Sequence, residues 1–86
     1  MFQPTLTLTV DNARVALEAG LRAIESGQTE IDLSQLTTVD SAGVATLLAW
    51  QRAARDSHRV LRFLNLPAGL RSLAELYGVS DFLYPA

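Results

Sequence analysis

Strand-forming and helix-forming segments alternate along this chain, and their order restricts its fold more than any other feature of the sequence. Residues 5–10, Thr-Leu-Thr-Leu-Thr-Val, alternate strictly between threonine and aliphatic side chains, which is typical of a half-buried strand. Residues 29–33 and 59–64 predict two more strands, and apolar residues at helical spacing predict helices over about 13–26, 41–56 and 67–77. Because strands joined through helices are usually parallel, the order β-α-β-α-β-α predicts an α/β fold. We expect a mostly parallel mixed sheet of about three or four strands with about three or four helices.

Length and composition limit the classes of function. The chain has 86 residues, so we expect a single domain over residues 1–86. An apolar fraction of 49% indicates a packed globule rather than a disordered segment. The chain has no cysteine, which excludes disulfides and thiolate metal sites. Seven basic and nine acidic residues give a net charge of −2, which offers no electrostatic basis for binding nucleic acid.

No segment suggests secretion or insertion into a membrane. Residues 1–4 carry neither a basic start nor an apolar stretch, so we expect no signal peptide. The longest apolar-rich run, residues 42–50, is far shorter than the ~20 residues that cross a bilayer. The expected location is the cytoplasm.

Capping residues mark the ends of the predicted helices. Asp11 and Asn12 can both cap the first helix, which we expect to end near Ser26-Gly27. Pro67 suits the first turn of the third helix, and Gly78 suits its C-terminal cap. The apolar side of the third helix is predicted to be Leu66, Leu70, Leu73, Ala74 and Tyr77. Residues 79–84 are apolar enough to pack back onto the body.

The candidate functional site is the loop-to-helix corner at residues 38–43, Thr-Val-Asp-Ser-Ala-Gly. It follows a predicted strand and a predicted polar loop over residues 34–40, and open α/β sheets carry their functional loops at the carboxyl ends of strands. Asp40 or Ser41 can accept hydrogen bonds from the first helical turn, and Gly43 permits a close backbone approach. The same residues also fit an ordinary helix cap without any further function.

The sequence argues against an active site at this corner. A Ser41 nucleophile needs a base within hydrogen-bond reach, but the only histidine, His58, follows 17 residues later, roughly 25 Å along the same helix. The pattern G-x-S-x-G is absent because residue 39 is valine. Asp32 alternates with apolar neighbours and is predicted to face solvent or a helix cap rather than to pair with Asp40. We find no spacing for a metal site and no glycine-rich phosphate loop, so we expect no catalytic residues, metal or cofactor.

The second predicted helix has two apolar sides. One side carries Val44, Leu47, Leu48, Gln51 and Ala54, and the opposite side carries Ala42, Thr46, Ala49, Trp50 and Ala53. A surface helix with one buried stripe does not need both. Either the helix is enclosed in the core, with Trp50 buried, or the side with Trp50 meets a partner protein, since aromatic anchors carry much interface energy. The sequence leaves both alternatives open.

Residues 31–44, Ile-Asp-Leu-Ser-Gln-Leu-Thr-Thr-Val-Asp-Ser-Ala-Gly-Val, resemble the signature of the STAS domain family. That signature is an apolar-Asp-apolar-Ser strand end, a short loop, and Asp-Ser/Thr-small-Gly-aliphatic at a helix start. The resemblance continues through Leu47-Leu48, residues 59–64 and residues 73–77, and it covers roughly residues 5–83. It implies a single STAS-like domain that acts as a non-enzymatic protein-interaction module.

Two branches of the family imply two functions. In the STAS subunit of Mla-type phospholipid transporters, this corner and helix bind the cytoplasmic ABC ATPase, in a bacterial system for outer-membrane lipid asymmetry. In anti-sigma factor antagonists, the hydroxyl residue after the aspartate is phosphorylated by a partner kinase, which breaks the complex. The stretch Leu73-Ala74-Glu75-Leu76-Tyr77 resembles the ending of the Mla subunit, so the resemblance favours an accessory subunit at the inner face of the inner membrane.

The resemblance assigns partner contacts to the corner and to one side of the second helix, with Ser41 as the possible phosphorylation site. The full set of predicted contacts is Thr38, Asp40, Ser41, Ala42, Gly43, Thr46, Ala49, Trp50 and Ala53. Two departures from the family pattern stand out. Gln51 replaces an aliphatic residue, and only residues 5–10 are clearly a strand before the first helix, where the family has a β-hairpin. A reduced first strand exposes a sheet edge, which predicts cover by a partner or a homodimer contact.

Overall fold

Seven short elements make up the described part of the chain, residues 7–79 of a computed structural model. In chain order they are β1 (Thr7–Leu8), α1 (Ala13–Glu25), β2 (Glu30–Asp32), β3 (Thr38–Val39), α2 (Ser41–Asp56), β4 (Arg62–Leu64) and α3 (Ala68–Leu76). The three predicted helices are confirmed, and the predicted strands appear in shorter form. Residues 5–6 of the first predicted strand and residues 80–84 of the predicted returning segment lie outside the described residues.

The strand pairs within residues 7–79 are parallel, as the alternation of strands and helices predicts. β1 pairs with β3 in the register Thr7 to Thr38 and Leu8 to Val39. β2 pairs with β4 from Glu30 opposite Arg62 to Asp32 opposite Leu64. The α/β class is confirmed, with the four strands of this range arranged as two parallel pairs. The predicted contact between two copies through a sheet edge stays a prediction.

β3 corrects the prediction that residues 34–40 are wholly loop. A strand of two residues has no periodicity that a sequence pattern could reveal. Its pairing with β1, about thirty positions earlier in the chain, holds this segment extended. β3 places the corner at the carboxyl end of a strand pair, because Asp40 follows Val39 directly and its N–H donates to the carbonyl of Leu8 at 3.3 Å.

α1 and α2 pack side by side and run in the same direction. Leu17 in the first half of α1 accepts a hydrogen bond from the Trp50 indole, and Ile24 near its end accepts one from the Arg59 guanidinium, just past α2. Both helices contribute to one hydrophobic core. The buried apolar residues of this core are Leu8, Ile24, Ile31, Leu33, Leu36, Val44, Leu47, Trp50, Ala54, Leu61, Leu70 and Ala74.

The helix ends follow the capping residues with small differences. Gly78 adopts a left-handed φ of 69° directly after the Tyr77 cap of α3, where the sequence places a glycine cap. Pro67 is the N-cap of α3 and so precedes its first turn by one residue. Asn12 is the N-cap of α1, but its side-chain oxygen accepts from the Thr9 N–H at 2.9 Å and makes no cap bond to the helix.

α2 buries a side that the sequence pattern does not single out. Its buried residues are Gly43, Val44, Thr46, Leu47, Trp50 and Ala54. At 100° per residue these lie between the two predicted apolar sides and take members from each. Gln51 is half-buried beside them, and its amide donates to the carbonyl of Leu61 at 3.1 Å, so the polar replacement is hydrogen-bonded.

Candidate functional site

Asp40 fixes the geometry of the corner. It is the N-cap of α2 in an extended conformation, and its Oδ1 accepts from the Ala42 N–H at 2.8 Å. Its Oδ2 accepts from the Val10 N–H at 3.2 Å, on the segment that follows β1. One carboxylate therefore ties the start of α2 to the end of β1. The sequence predicts the cap, whereas the bond to Val10 follows only from the tertiary fold.

Replacing Asp40 with alanine is expected to lower the free energy of unfolding by about 1–2 kcal/mol. The change removes a helix cap, worth ~0.5–2 kcal/mol, together with a second hydrogen bond in an exposed position. Denaturant titration of Asp40→Ala against Asp11→Ala checks this, because Asp11 is an exposed carboxylate that precedes the N-cap of α1, and its removal should cost less than about 0.5 kcal/mol. Equal losses in the two variants would contradict the assigned role of Asp40.

Gly43 lets the corner approach β1 closely. A methyl group at this position would lie 2.8 Å from the backbone oxygen of Leu8, which is shorter than any ordinary carbon contact. That oxygen belongs to the strand backbone and also accepts from the Asp40 N–H. A larger residue would therefore push the corner away from β1. Packing against β1 therefore explains the glycine in this motif. Gly43 has no side chain and is buried, so it offers little surface to a partner.

Ser41 is the first residue of α2 and is exposed. His58 lies beyond the opposite end of the same helix and is also exposed, so the structure agrees with the argument against a Ser-His pair. Asp32 does not pair with Asp40. Its Oδ1 accepts from the Ser34 N–H at 2.9 Å and from the Asn65 amide at 3.1 Å, so it organises the turn after β2. Because Ser41 is exposed, its hydroxyl is available for contact with a partner or for modification.

An apolar depression lies between α1 and α2 beside the corner. It is lined by Ala13, Arg14, Leu17, Ala42, Ala45, Thr46 and Ala49. On α2 these residues recur at positions i, i+3, i+4 and i+7, which places them on one side of the helix. We call this the alanine depression. The predicted contacts include no residue of α1. The helical spacing of Ala13 and Leu17 indicates an apolar stripe that faces the core, but it does not show which helix lies beside that stripe.

Trp50 is fully buried, which decides between the two alternatives that the sequence leaves open. Its ring packs against Gly20 of α1, and its Nε1–H donates to the Leu17 carbonyl at 3.1 Å. The indole has no surface in this structure, so its predicted role as a partner contact needs revision to a role in the core. Thr46 is also buried, 4% exposed, with its hydroxyl donating to the Ala42 carbonyl at 2.8 Å.

The other predicted contacts have at least part of their surface accessible. Thr38 and Ser41 are exposed, and Asp40, Ala42, Ala49 and Ala53 are half-buried. Their contact with a partner stays a prediction. The accessible surface thus runs from Ser41 along Ala42, Ala45 and Ala49, and the buried indole lies underneath it.

Residues 7–79 also bear on two other classes of site. No group of three or more His, Asp or Glu side chains within residues 7–79 is arranged to hold a metal ion. No helix in that range has the length and apolar character needed to cross a membrane.

Comparison with known proteins gives the family of the chain. The family model described as "Mlab, STAS domain" matches residues 7–85 of the chain. The intermembrane phospholipid transport system binding protein MlaB of Haemophilus influenzae is 37% identical over 54 residues, which cover 63% of this chain. The aligned stretch spans only 51% of the length of that relative. Because the family match covers most of the chain, including the corner and all three helices, the chain belongs to the MlaB-type STAS domain family, which is non-enzymatic.

Proposed function

We propose that this protein is an accessory subunit that docks on the cytoplasmic ATPase of an Mla-type phospholipid-transport ABC complex. The observation that carries the proposal is the exposed Ser41 on a corner that Asp40 fastens to β1. The similarity to a binding protein of an intermembrane phospholipid transport system supplies the class of partner. In this proposal the chain stays in the cytoplasm and reaches the inner membrane only through the ATPase.

The corner has the properties of a pre-organised docking site. The two hydrogen bonds of Asp40 and the close contact of Gly43 with β1 hold the start of α2 in place before a partner arrives. A site that is already ordered loses less conformational entropy on binding. The alanine depression continues from the corner and presents a mostly apolar floor at which a partner side chain can be buried. Polar Ser41 at one end and this apolar floor together fit a protein partner.

The exposed hydroxyl also supports a second candidate function, an anti-sigma factor antagonist that is controlled by phosphorylation of Ser41. A phosphate at this position would lie at the positive N-terminal end of α2, next to the Asp40 carboxylate that already accepts from the Ala42 N–H. It would also add nearly two negative charges to the docking surface, which can release a partner. The two candidates use the same corner and differ in the partner, an ABC ATPase or a kinase of an anti-sigma system. Co-purification from native cells distinguishes them.

Ser41→Glu is expected to weaken binding to the ATPase by about tenfold or more. The change adds a charge and a longer side chain at the centre of the proposed contact. It should leave the melting temperature unchanged or slightly higher, because an acidic residue in the first turn of a helix is favourable. Isothermal titration of the purified subunit with its ATPase measures the first effect, and thermal unfolding measures the second.

Ser72→Glu is the matched control. Ser72 is an exposed serine on α3, so this variant carries the same change of charge on another helix. It should bind the ATPase like the parent chain. An unchanged affinity in Ser41→Glu, or equal weakening in both variants, would show that the corner is not the contact.

A further inference from the structure

A groove runs along α2 on a different side of the helix from the alanine depression. Leu48, Gln51, Arg52 and Arg55 form one wall, and Val79, just after α3, forms part of the other. The four α2 residues recur at i, i+3, i+4 and i+7, so they share one side of the helix. Each of them lies six positions after one of the α2 residues that line the alanine depression. Six positions correspond to a rotation of about 120° around the helix axis. This groove, which we call the arginine groove, is therefore separate from the corner surface.

Within residues 7–79, the two guanidinium groups of the arginine groove have no ionic partner. Both arginines are exposed, and within residues 7–79 neither has an acidic group within ion-pair distance. Asp56 is one turn after Arg52, yet it forms no such pair. Arg62, by contrast, pairs with Glu30 at 3.6 Å across β4 and β2. Gln51 is uncharged, and its amide donates to the Leu61 carbonyl. Arg52 and Arg55 are therefore the charged side chains among the described residues of the groove.

We infer that the arginine groove binds an acidic, amphipathic peptide segment of a partner protein. Carboxylates of that segment would pair with Arg52 and Arg55, whose planar guanidinium groups suit two-pronged contacts with carboxylates. An apolar side chain of the same segment would cover Leu48 and Val79. Charge complementarity carries the inference, since these two neighbouring cations have no ion pair within residues 7–79, on a chain whose net charge is −2. The inference concerns a surface apart from the corner and does not depend on the proposed function.

A peptide fits the groove better than a membrane surface does. Attachment to anionic lipids typically takes a cluster of about 4–8 basic residues. The groove offers two arginines, arranged along a concave surface one helical turn apart. The overall negative charge of the chain also opposes approach to an anionic bilayer.

NMR titration of the full ¹⁵N-labelled chain tests the inference. The probe is a capped peptide that combines glutamate with leucine and alanine, and the comparison peptide has glutamine at each glutamate position. We expect saturable shifts at residues 48–55 and 79 with the acidic peptide, and weaker binding as salt increases. Arg52→Gln/Arg55→Gln should weaken that binding by about tenfold, because two charge-assisted contacts are lost.

Arg22→Gln/Arg62→Gln is the matched control, since it removes the same total charge from exposed positions outside the groove. This variant should bind the acidic peptide like the parent chain. Equal binding of the glutamine peptide, equal weakening in the control, or no saturable shift would overturn the inference. Two other occupants would also overturn it. One is an anionic membrane, shown by binding of anionic phospholipid vesicles when the peptide does not bind. The other is a second copy of the chain, shown by a dimer that Arg52→Gln/Arg55→Gln dissociates.

Discussion

Trp50→Ala is expected to lower the free energy of unfolding by about 3–5 kcal/mol, the usual cost of truncating a large buried aromatic residue. Trp50 is 0% exposed and is the largest fully buried side chain of the core. Its removal also leaves the Leu17 carbonyl without the indole N–H donor. Native domains are stable by only ~5–15 kcal/mol, so the variant should lose a large share of its stability while still unfolding in a measurable transition. Denaturant titration monitored by circular dichroism gives the loss.

Tyr77→Ala provides the control for this large effect. Tyr77 is an aromatic residue at the end of α3 that is 50% exposed, so its truncation should cost clearly less than that of Trp50. If both variants lose about the same stability, the indole is not a core residue. If Trp50→Ala instead keeps its stability and loses partner binding, the interface alternative that the sequence left open would be correct.

Gly20→Ala is expected to lower the free energy of unfolding by about 3 kcal/mol. Gly20 is in the middle of α1, and a methyl group there would overlap the Trp50 ring at Cε2 and Nε1. The ring cannot move away easily, because it is enclosed and hydrogen-bonded to Leu17. Overpacking of a filled core costs ~1–3 kcal/mol, and this overlap belongs at the upper end. The effect is unusual, because alanine normally stabilises a helix interior by about 1 kcal/mol relative to glycine.

The double variant separates packing from helix propensity. In the Trp50→Ala background the space beside residue 20 is empty, so Gly20→Ala should become neutral or stabilising by up to about 1 kcal/mol. The loss of the penalty would give a coupling energy of about 3–4 kcal/mol between the two positions, measured by denaturant titration of all four proteins. Simple additivity of the two losses would mean that Gly20 and Trp50 do not share a contact.

Much of the architecture was predictable because the relevant signals lie within a few residues of one another. The helical spacing of apolar residues located all three helices, and α2 begins at Ser41 and ends at Asp56 as predicted. Asp40 as a cap and Gly78 after α3 are also local signals, since capping acts within one turn. The motif from Asp40 to Gly43 pointed to the family that the comparison confirmed.

The details of the candidate site were not predictable in the same way. The bond from Asp40 to the Val10 N–H joins residues thirty positions apart. β3 exists only because Thr38 and Val39 pair with β1, and the alanine depression needs α1 beside α2. Each of these features depends on which elements become neighbours, and no local periodicity carries that information.

The sequence by itself determined the three helices, the approximate positions of β1, β2 and β4, and the capped start of α2 at Asp40, because periodicity and capping depend on neighbouring residues. The tertiary structure alone decided which side of α2 is buried. The apolar residues of α2 lie on two sides of the helix, so their spacing does not say which side faces the core. Contacts with distant residues decide it, because Gly20 leaves room for the Trp50 ring and Gly43 lets the helix approach Leu8 closely. Trp50 therefore points into the core, and Ser41 stays exposed at the surface.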